Sequence, residues 1–364
     1  MSASVDSGLS GAELADMARR VLAEQTGRRD YLHPEAAQAL WNTAAGLGWF
    51  MLTIPEERDG LGQGLAALAP IYGELGRALS GLPLLSAMLT VDALLAGDGA
   101  VHGELLAAVA GGEAVPAAQL PGTPLLTARR DGDALVLDGV VRCLLTGIEP
   151  SHALAHATLD GQSAIVVLPL DGAELTRLST WDETRQLIDI GFAGARHPAD
   201  VVVATGPEAE AAIARLSAHF DLGIAWDSIG AAEQILTDTV EYSRTRQQFG
   251  RQIGSFQAIK HRCADMKTWL ESARALNIEA ARLYDAGDLG NPLIGGARLY
   301  AAEVFRRIAM DAVQLHGGIG FTWEHDCHLF LKRALLNEQL GGSPEDYQDR
   351  LFEPFSRLVA ARQG

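Results

Sequence analysis

The stretch that decides the fold is Tyr242-Ser-Arg-Thr-Arg-Gln-Gln-Phe-Gly-Arg-Gln-Ile-Gly-Ser-Phe-Gln257, a helix end, a glycine-containing turn and a second helix start within 16 residues. Between Glu241 and Arg262 it gathers five cations, Arg244, Arg246, Arg251, Lys260 and Arg262, against the single anion Glu241. The chain as a whole carries a net charge of −17 over 364 residues, so this local reversal stands out. Two readings fit it. A guanidinium fork beside helix N-terminal amides suits a bound phosphate; equally, cations near a helix C-terminus complement its dipole.

Working outward, a second signal is Gln314-Leu-His-Gly-Gly-Ile-Gly320, where a helical pattern runs into Gly317, Gly318 and Gly320. Glycines admit a flat or charged ligand against bare backbone, and they are also ordinary helix stops. His316 alone reads as a cap or a core histidine as readily as an acid or base. Long helical patterns cover 207–218, 229–245, 256–286 and 292–316. Upstream, 115–203 changes to short β-rich runs, Ala134-Leu-Val-Leu, Ser163-Ala-Ile-Val-Val-Leu-Pro and Leu187-Ile-Asp-Ile-Gly-Phe, separated by Gly-Asp and Asp-Gly turns. Before that, 11–112 is helical again. The expected architecture is mainly α with a β insert: a helical domain over 1–114, a small antiparallel β domain over 115–206 and a helical bundle over 207–364.

Composition narrows the function. With 46 acidic and 29 basic residues the chain repels polyphosphate backbones, which argues against nucleic acid as a partner. Three scattered cysteines, Cys143, Cys263 and Cys327, make neither a disulfide framework nor a zinc cluster and read as core thiols in a reducing compartment, with no metal expected. Met1–Met17 lacks the basic start and apolar block of a secretory signal, and the uncharged run Gly81–Val91 is too short to span a bilayer, so a cytoplasmic protein without membrane attachment is expected. Trp226, Trp269 and Trp323 are expected in the core.

Arg246-x-x-Phe249-Gly250, Phe256-Gln257 and Gln314-Leu-His-Gly-Gly-Ile-Gly, on long helices after a β-rich insert, together resemble the acyl-CoA dehydrogenase family. Gly46-Leu-Gly-Trp-Phe-Met-Leu-Thr-Ile-Pro-Glu-Glu-Arg-Asp-Gly-Leu-Gly62 and Gly73-Glu-Leu-Gly-Arg77 resemble its N-terminal helical domain. The resemblance implies a C-terminal four-helix bundle, an FAD cofactor, desaturation of an acyl-CoA thioester and electron transfer to an electron-transfer flavoprotein. It implies that Arg246 meets the FAD pyrophosphate of a neighbouring subunit, that Phe249, Phe256 and Gln257 lie on its adenosine side, and that the backbone of Gln314, Leu315, His316, Gly317 and Gly318 lies against it.

Three departures accompany the resemblance. The family's usual catalytic glutamate falls on Gly341, and its second acid position falls on Phe220, followed by Asp221. Asp221, Glu338 and Glu345 are the nearby carboxylates, each expected to be a solvated or capping acid. In the middle domain, Gln119-Leu-Pro-Gly-Thr-Pro-Leu-Leu-Thr and Leu144-Leu-Thr-Gly replace the segments that hold the flavin ring. The combination implies a degenerate subunit that lends FAD contacts to a catalytic partner in an α2β2 heterotetramer, with a bulky steroid side-chain CoA ester as substrate by analogy. The competing readings are a self-contained homotetramer using Asp221 or Glu338 as base, a dead acyl-CoA-binding or scaffold protein, and another flavin reaction on the same fold.

Overall fold

In the computed structural model, which describes residues 10–25, 27–29, 34–122 and 126–361, helices open and close the chain around a β layer. The residues 1–9 and 123–125, on which part of the leader and flavin-loop expectations rest, lie outside the described residues. The first helices are α1 (Gly11–Gln25), α2 (Pro34–Gly46), α3 (Leu65–Arg77), α4 (Leu84–Ala96) and α5 (Gly99–Ala110). The layer holds β1 (Pro116–Ala118), β2 (Leu126–Asp131), β3 (Ala134–Thr146), β4 (His152–Leu159), β5 (Gln162–Pro169), β6 (Glu174–Arg177), β7 (Gln186–Pro198) and β8 (Val202–Thr205). Helix α6 (Gly206–Thr245), the hairpin β9 (Gln247–Gln248) and β10 (Arg251–Gln252), and helices α7 (Gln257–Asp285), α8 (Pro292–His316), α9 (Cys327–Gln339) and α10 (Pro344–Ala361) complete the chain.

The sheet runs β6-β7-β3-β1-β4-β5-β8, with β2 paired to β3 and β4. It is not wholly antiparallel as expected, because β1 and β2 both run parallel to β4. The reason is geometric: β1 faces His152–Leu154 and β2 faces Ala157–Leu159, so the two are successive pieces of one line along β4. One face of the layer encloses its own apolar cluster, including Leu137, Val141, Ile165's neighbour Val166 and Ile190, and the other joins the large helical core.

Helices α6 to α9 form the bundle, and α10 lies along α8. Sequence periodicity placed two helices over 207–245 with a break, whereas α6 is one helix of 40 residues. Gly223 and Gly230 do not interrupt it, because packing against α3 and α4 offsets their roughly 1 kcal/mol propensity cost. Helix α8 begins where Asn291 accepts a bond from the Leu293 amide at 3.0 Å with Pro292 in its first turn, and ends where Gly317 turns to φ 65°.

A buried ionic network fixes the sheet on the bundle. Arg333 of α9 contacts Asp182 at 2.7 Å and Asp227 of α6 at 3.2 Å, and its guanidinium also donates to the Thr184 carbonyl at 3.0 Å. Arg185 reaches Asp227 at 2.9 Å and the Asn337 side-chain oxygen at 2.9 Å. Asn337 in turn donates to Asp227 at 2.8 Å. Such groups cannot be buried unless each charge has an opposite or a donor beside it. The segment after β6 is thereby locked to α6 and α9, through Asn337 one residue before Glu338 and four before Gly341. Among the described residues no helix is long and apolar enough to cross a membrane.

Candidate functional site

Gly341 sits at the end of α9, buried, with φ 76°. A Cβ placed there would lie 2.8 Å from Cε1 of Phe220 and 3.2 Å from the Tyr347 hydroxyl. Phe220 is itself fully buried. The two positions at which the sequence expects a catalytic carboxylate therefore face each other, and one aromatic ring occupies the space a base would need. Gly122 approaches the same spot: a Cβ on it would stand 3.4 Å from the Gly341 carbonyl oxygen.

The nearby acids are engaged. Asp221 is not the solvated or capping acid expected of it; it accepts a 2.5 Å bond from the Tyr347 hydroxyl and lies 3.4 Å from Nε of the fully buried Arg298. Burial raises its carboxyl above the ordinary range, with Arg298 and Tyr347 opposing the rise. Arg298 and Arg350 each place a guanidinium carbon 4.1 Å from the Tyr347 ring centroid, so the phenol is held by cations as well as by Asp221. Glu338 is likewise not a free surface acid: its Oε1 takes a 2.9 Å bond from Arg306 of α8. Glu345 is exposed in the first turn of α10.

The segment expected to wall a flavin ring is packed shut. Ser86 of α4 donates to the Leu145 carbonyl at 2.6 Å, and the Thr146 hydroxyl is spent on the Ile148 carbonyl at 2.7 Å. Gly147 approaches Gly81 so closely that any Cβ would overlap its carbonyl, 1.8 Å away. Beside it, bounded by Tyr72, Leu85, Thr146 and Gly223, a cavity of about 30 Å³ remains. That holds about two waters, whereas small-molecule sites need roughly 300 Å³ or more.

The sequence missed a second buried polar chain next to Phe220. Tyr72 Oη is 2.9 Å from His219 Nε2, His219 Nδ1 is 2.7 Å from Asp92, and Tyr284 donates to the same Asp92 oxygen at 2.6 Å. These partners come from α3, α4, α6 and α7, and their separations of 127 to 192 residues left no local signal. Both ring nitrogens of His219 are taken, so the chain stiffens the core and presents no free base.

The opposite end of the bundle is open. Within the hairpin β9–β10, Gln248 pairs Arg251 and Gln247 pairs Gln252, leaving Phe249-Gly250 as a two-residue turn with φ 54° and 77°. Positive φ at both positions matches the twist of a tight hairpin, and phenylalanine is a costly residue for it. Phe249 nevertheless stands at the tip, 91% exposed, with the Phe256 ring 6.2 Å away edge-on. Arg246 caps α6 by donating its amide to Tyr242, and its exposed guanidinium has no ion-pair partner among the described residues. Gln257 opens α7, whose first-turn amides precede the first intrahelical bonds.

Tyr242, one turn before Arg246, stacks on His316 with ring centroids 4.4 Å apart and donates to the His316 carbonyl at 3.3 Å. That contact brings the two sequence motifs together. Gln314, Gly317 and Gly318 are exposed, Leu315 is half-buried and His316 is buried with Nδ1 2.8 Å from the Ala312 carbonyl. A Cβ on Gly317 or Gly318 would meet nothing within 4 Å, so the turn presents open backbone. Trp226 is in the core as expected; Trp269 is only half-buried, and Trp323 is half-exposed beside these glycines because it lies on the surface turn between α8 and α9. Of the thiols, Cys327 is buried and Cys143 and Cys263 are partly exposed.

Sequence comparison places the acyl-CoA dehydrogenase N-terminal domain on residues 11–113 and the acyl-CoA dehydrogenase C-terminal domain on residues 212–349. Acyl-CoA dehydrogenase IpdE2 of Mycobacterium tuberculosis is 35% identical over 326 residues, 86% of each chain. The chain belongs to the acyl-CoA dehydrogenase family. Its fold superposes on the Tcur3481-Tcur3483 steroid ACAD with TM-score 0.86 at 24% identity, over 96% of this chain and 98% of that one. It superposes on the ChsE4-ChsE5 complex from M. tuberculosis with TM-score 0.85 at 23% identity, again over 96% and 98%.

Acyl-CoA dehydrogenases are FAD-dependent oxidoreductases acting on CH–CH bonds. The residues of this acyl-CoA dehydrogenase fit part of that cofactor. An unpaired guanidinium, helix N-terminal amides and glycine backbone free of side chains are the donor set a diphosphate needs. Of the segments that the resemblance sets against the flavin ring, Leu144–Gly147 is closed by its packing on α4 and Gly81.

Proposed function

We propose that this chain is the non-catalytic subunit of a heteromeric acyl-CoA dehydrogenase, an α2β2 assembly in the cytoplasm in which the FAD is seated in a catalytic partner. The observation that carries the reading is the Phe220 ring packed into the slot at Gly341 while Arg246 stands without an ion-pair partner among the described residues and Phe249 stands exposed at the opposite end. Bound FAD supplies a hydride acceptor for α,β-desaturation of an acyl-CoA thioester. Arg246 neutralises its diphosphate, Phe249 and Phe256 offer ring faces to the adenosine, Gln257 adds a side-chain amide, and the Gln314–Gly318 turn supplies backbone donors.

The α-proton is taken by the partner, because Gly341 offers no acceptor and Asp221 and Glu338 are bound to Arg298, Tyr347 and Arg306. Loss of a general base is worth roughly 10²- to 10⁴-fold in rate, so this chain alone is inert toward thioesters. Halving the number of active sites leaves room for a large acyl group, and the likeness to a steroid ACAD supports a bulky polycyclic CoA ester. Electrons then pass to an electron-transfer flavoprotein.

Arg246→Ala tests the assignment. The side chain is exposed and unpaired, so its removal leaves the fold intact. Co-expressed with the catalytic chain, the variant is expected to yield a heteromer that retains its partner but has lost at least about tenfold in FAD affinity, the order of one charge-assisted contact. Unchanged FAD content contradicts the role given to Arg246.

A further inference from the structure

Three rings meet beneath the glycine turn. Tyr242 of α6 and His316 of α8 lie 4.4 Å apart with their planes 22° from parallel, and the His325 ring is 4.5 Å from His316 and 6.5 Å from Tyr242. Backbone groups fix the tautomers. His316 Nδ1 is 2.8 Å from the Ala312 carbonyl, which can only accept, so Nδ1 carries the proton. His325 Nδ1 accepts from the Cys327 amide at 3.1 Å and is bare. The other His316 nitrogen, Nε2, is therefore a buried lone pair without a hydrogen-bond partner among the described residues. The same cluster holds the peptide that opens the turn. Tyr242 donates its hydroxyl to the His316 carbonyl at 3.3 Å, while the Gly317 amide donates back to the Val313 and Gln314 carbonyls. The His316–Gly317 peptide is thus fixed at both ends, at the point where φ 65° takes the chain out of α8.

We propose that Tyr242 and His316 are positioning residues for the glycine turn, their stack and hydrogen bond holding the Gly317–Gly318 backbone in the orientation that meets a diphosphate. The inference rests on the FAD role given to that turn above and deepens it. Both residues act through the peptide, without touching the cofactor. A charge on His316 undoes the arrangement, because a second proton can go only to Nε2, where it becomes a buried donor with no acceptor. Burial holds this imidazole below its ordinary 6.5; the Ala312 carbonyl opposes the shift, and His325 adds to it. Asp238 of α6 also opposes it, but that carboxylate is already paired with Arg28 at 2.8 Å. From α9 the Cys327 thiol, 3.9 Å from Nδ1, is pushed up by burial to about 12 and supplies no counter-charge. Neutral His316 is the form that keeps the stack.

Two variants of the co-expressed heteromer test the role. Tyr242→Phe removes the hydroxyl and keeps the ring; His316→Phe keeps a ring and removes the titration. FAD affinity is read by flavin fluorescence from about pH 7.5 to about pH 5, with partner recovery and the urea midpoint of the single chain as structural controls. At about pH 7.5 Tyr242→Phe is expected to lose about threefold to tenfold in FAD affinity, the order of one hydrogen bond, with both controls unchanged. As the pH falls below 6.5 the wild-type heteromer loses FAD affinity, and His316→Phe loses at least about threefold less over the same range. Tyr242→Phe within about twofold of wild type overturns the inference, and so do superimposable pH profiles. If His316→Phe does not assemble, Tyr242→Phe decides by itself. Arg246→Ala separates the two claims. FAD lost from Arg246→Ala but kept by Tyr242→Phe overturns the positioning role and leaves the subunit reading intact; FAD kept by Arg246→Ala but lost from Tyr242→Phe supports the positioning role and removes the role given to Arg246.

Discussion

Restoring glutamate at Gly341 should fail, and the structure gives the size of the failure. The φ of 76° costs a residue with a Cβ about 1 to 2 kcal/mol. Its Cβ would press to 2.8 Å from the ring of a fully buried Phe220, overpacking worth about 1 to 3 kcal/mol. Gly341→Glu is therefore expected to destabilise the chain by about 2 to 5 kcal/mol, measurable as a lowered urea midpoint, and to generate no thioester oxidation. Phe220→Ala should cost about 3 to 5 kcal/mol by itself through the cavity it leaves. The double variant should be more stable than the two single losses predict by at least about 1 kcal/mol, because the cavity receives the new side chain. If the two losses add to within about 0.5 kcal/mol, Phe220 does not fill the slot and the reasoning is wrong. Thioester oxidation by Gly341→Glu alone refutes it equally.

Other consequences are open to simpler measurements. Arg333→Ala leaves buried Asp182 with no ion-pair partner among the described residues and Asp227 with Arg185 alone, and a loss of about 3 to 5 kcal/mol in denaturant unfolding is expected; a loss below about 1 kcal/mol would show that the network does not hold the sheet on the bundle. His156 on β4 is pushed by burial from 6.5 down to about 4. The unfolded chain then binds the proton first, so stability is complete above pH 6.5 and falls as pH drops from 6.5 to 4, by on the order of 3 kcal/mol. His156→Leu should reduce the slope of unfolding free energy over that window, the lowered His152, His197, His316 and His328 supplying the rest, and an unchanged slope would contradict the assignment.

Local chemistry was legible where the determinants are adjacent in sequence. Asn291-Pro292 and Gly317 mark both ends of α8, and Phe249-Gly250 marks a turn whose hairpin form needed only two positive φ values. Contacts between distant residues were not. Phe220 and Gly341 are neighbours only because α6 and the α9 end cross, and the burial of Asp221 depends on Arg298 and Tyr347 arriving from α8 and α10. Counting along the chain identifies a glycine in place of glutamate; it cannot tell an empty slot from a filled one. The break expected within α6 failed for a similar reason, since the packing that keeps its glycines helical comes from α3 and α4, far away in sequence.

Flavin stoichiometry addresses the proposed division of labour most directly. The chain purified alone, and the same chain co-purified with its catalytic partner, can each be assayed for bound FAD by absorbance and for acyl-CoA oxidation. The account predicts a colourless, inactive single chain and one FAD for every two chains of the complex. A single chain that carries one FAD and oxidises an acyl-CoA unaided contradicts it.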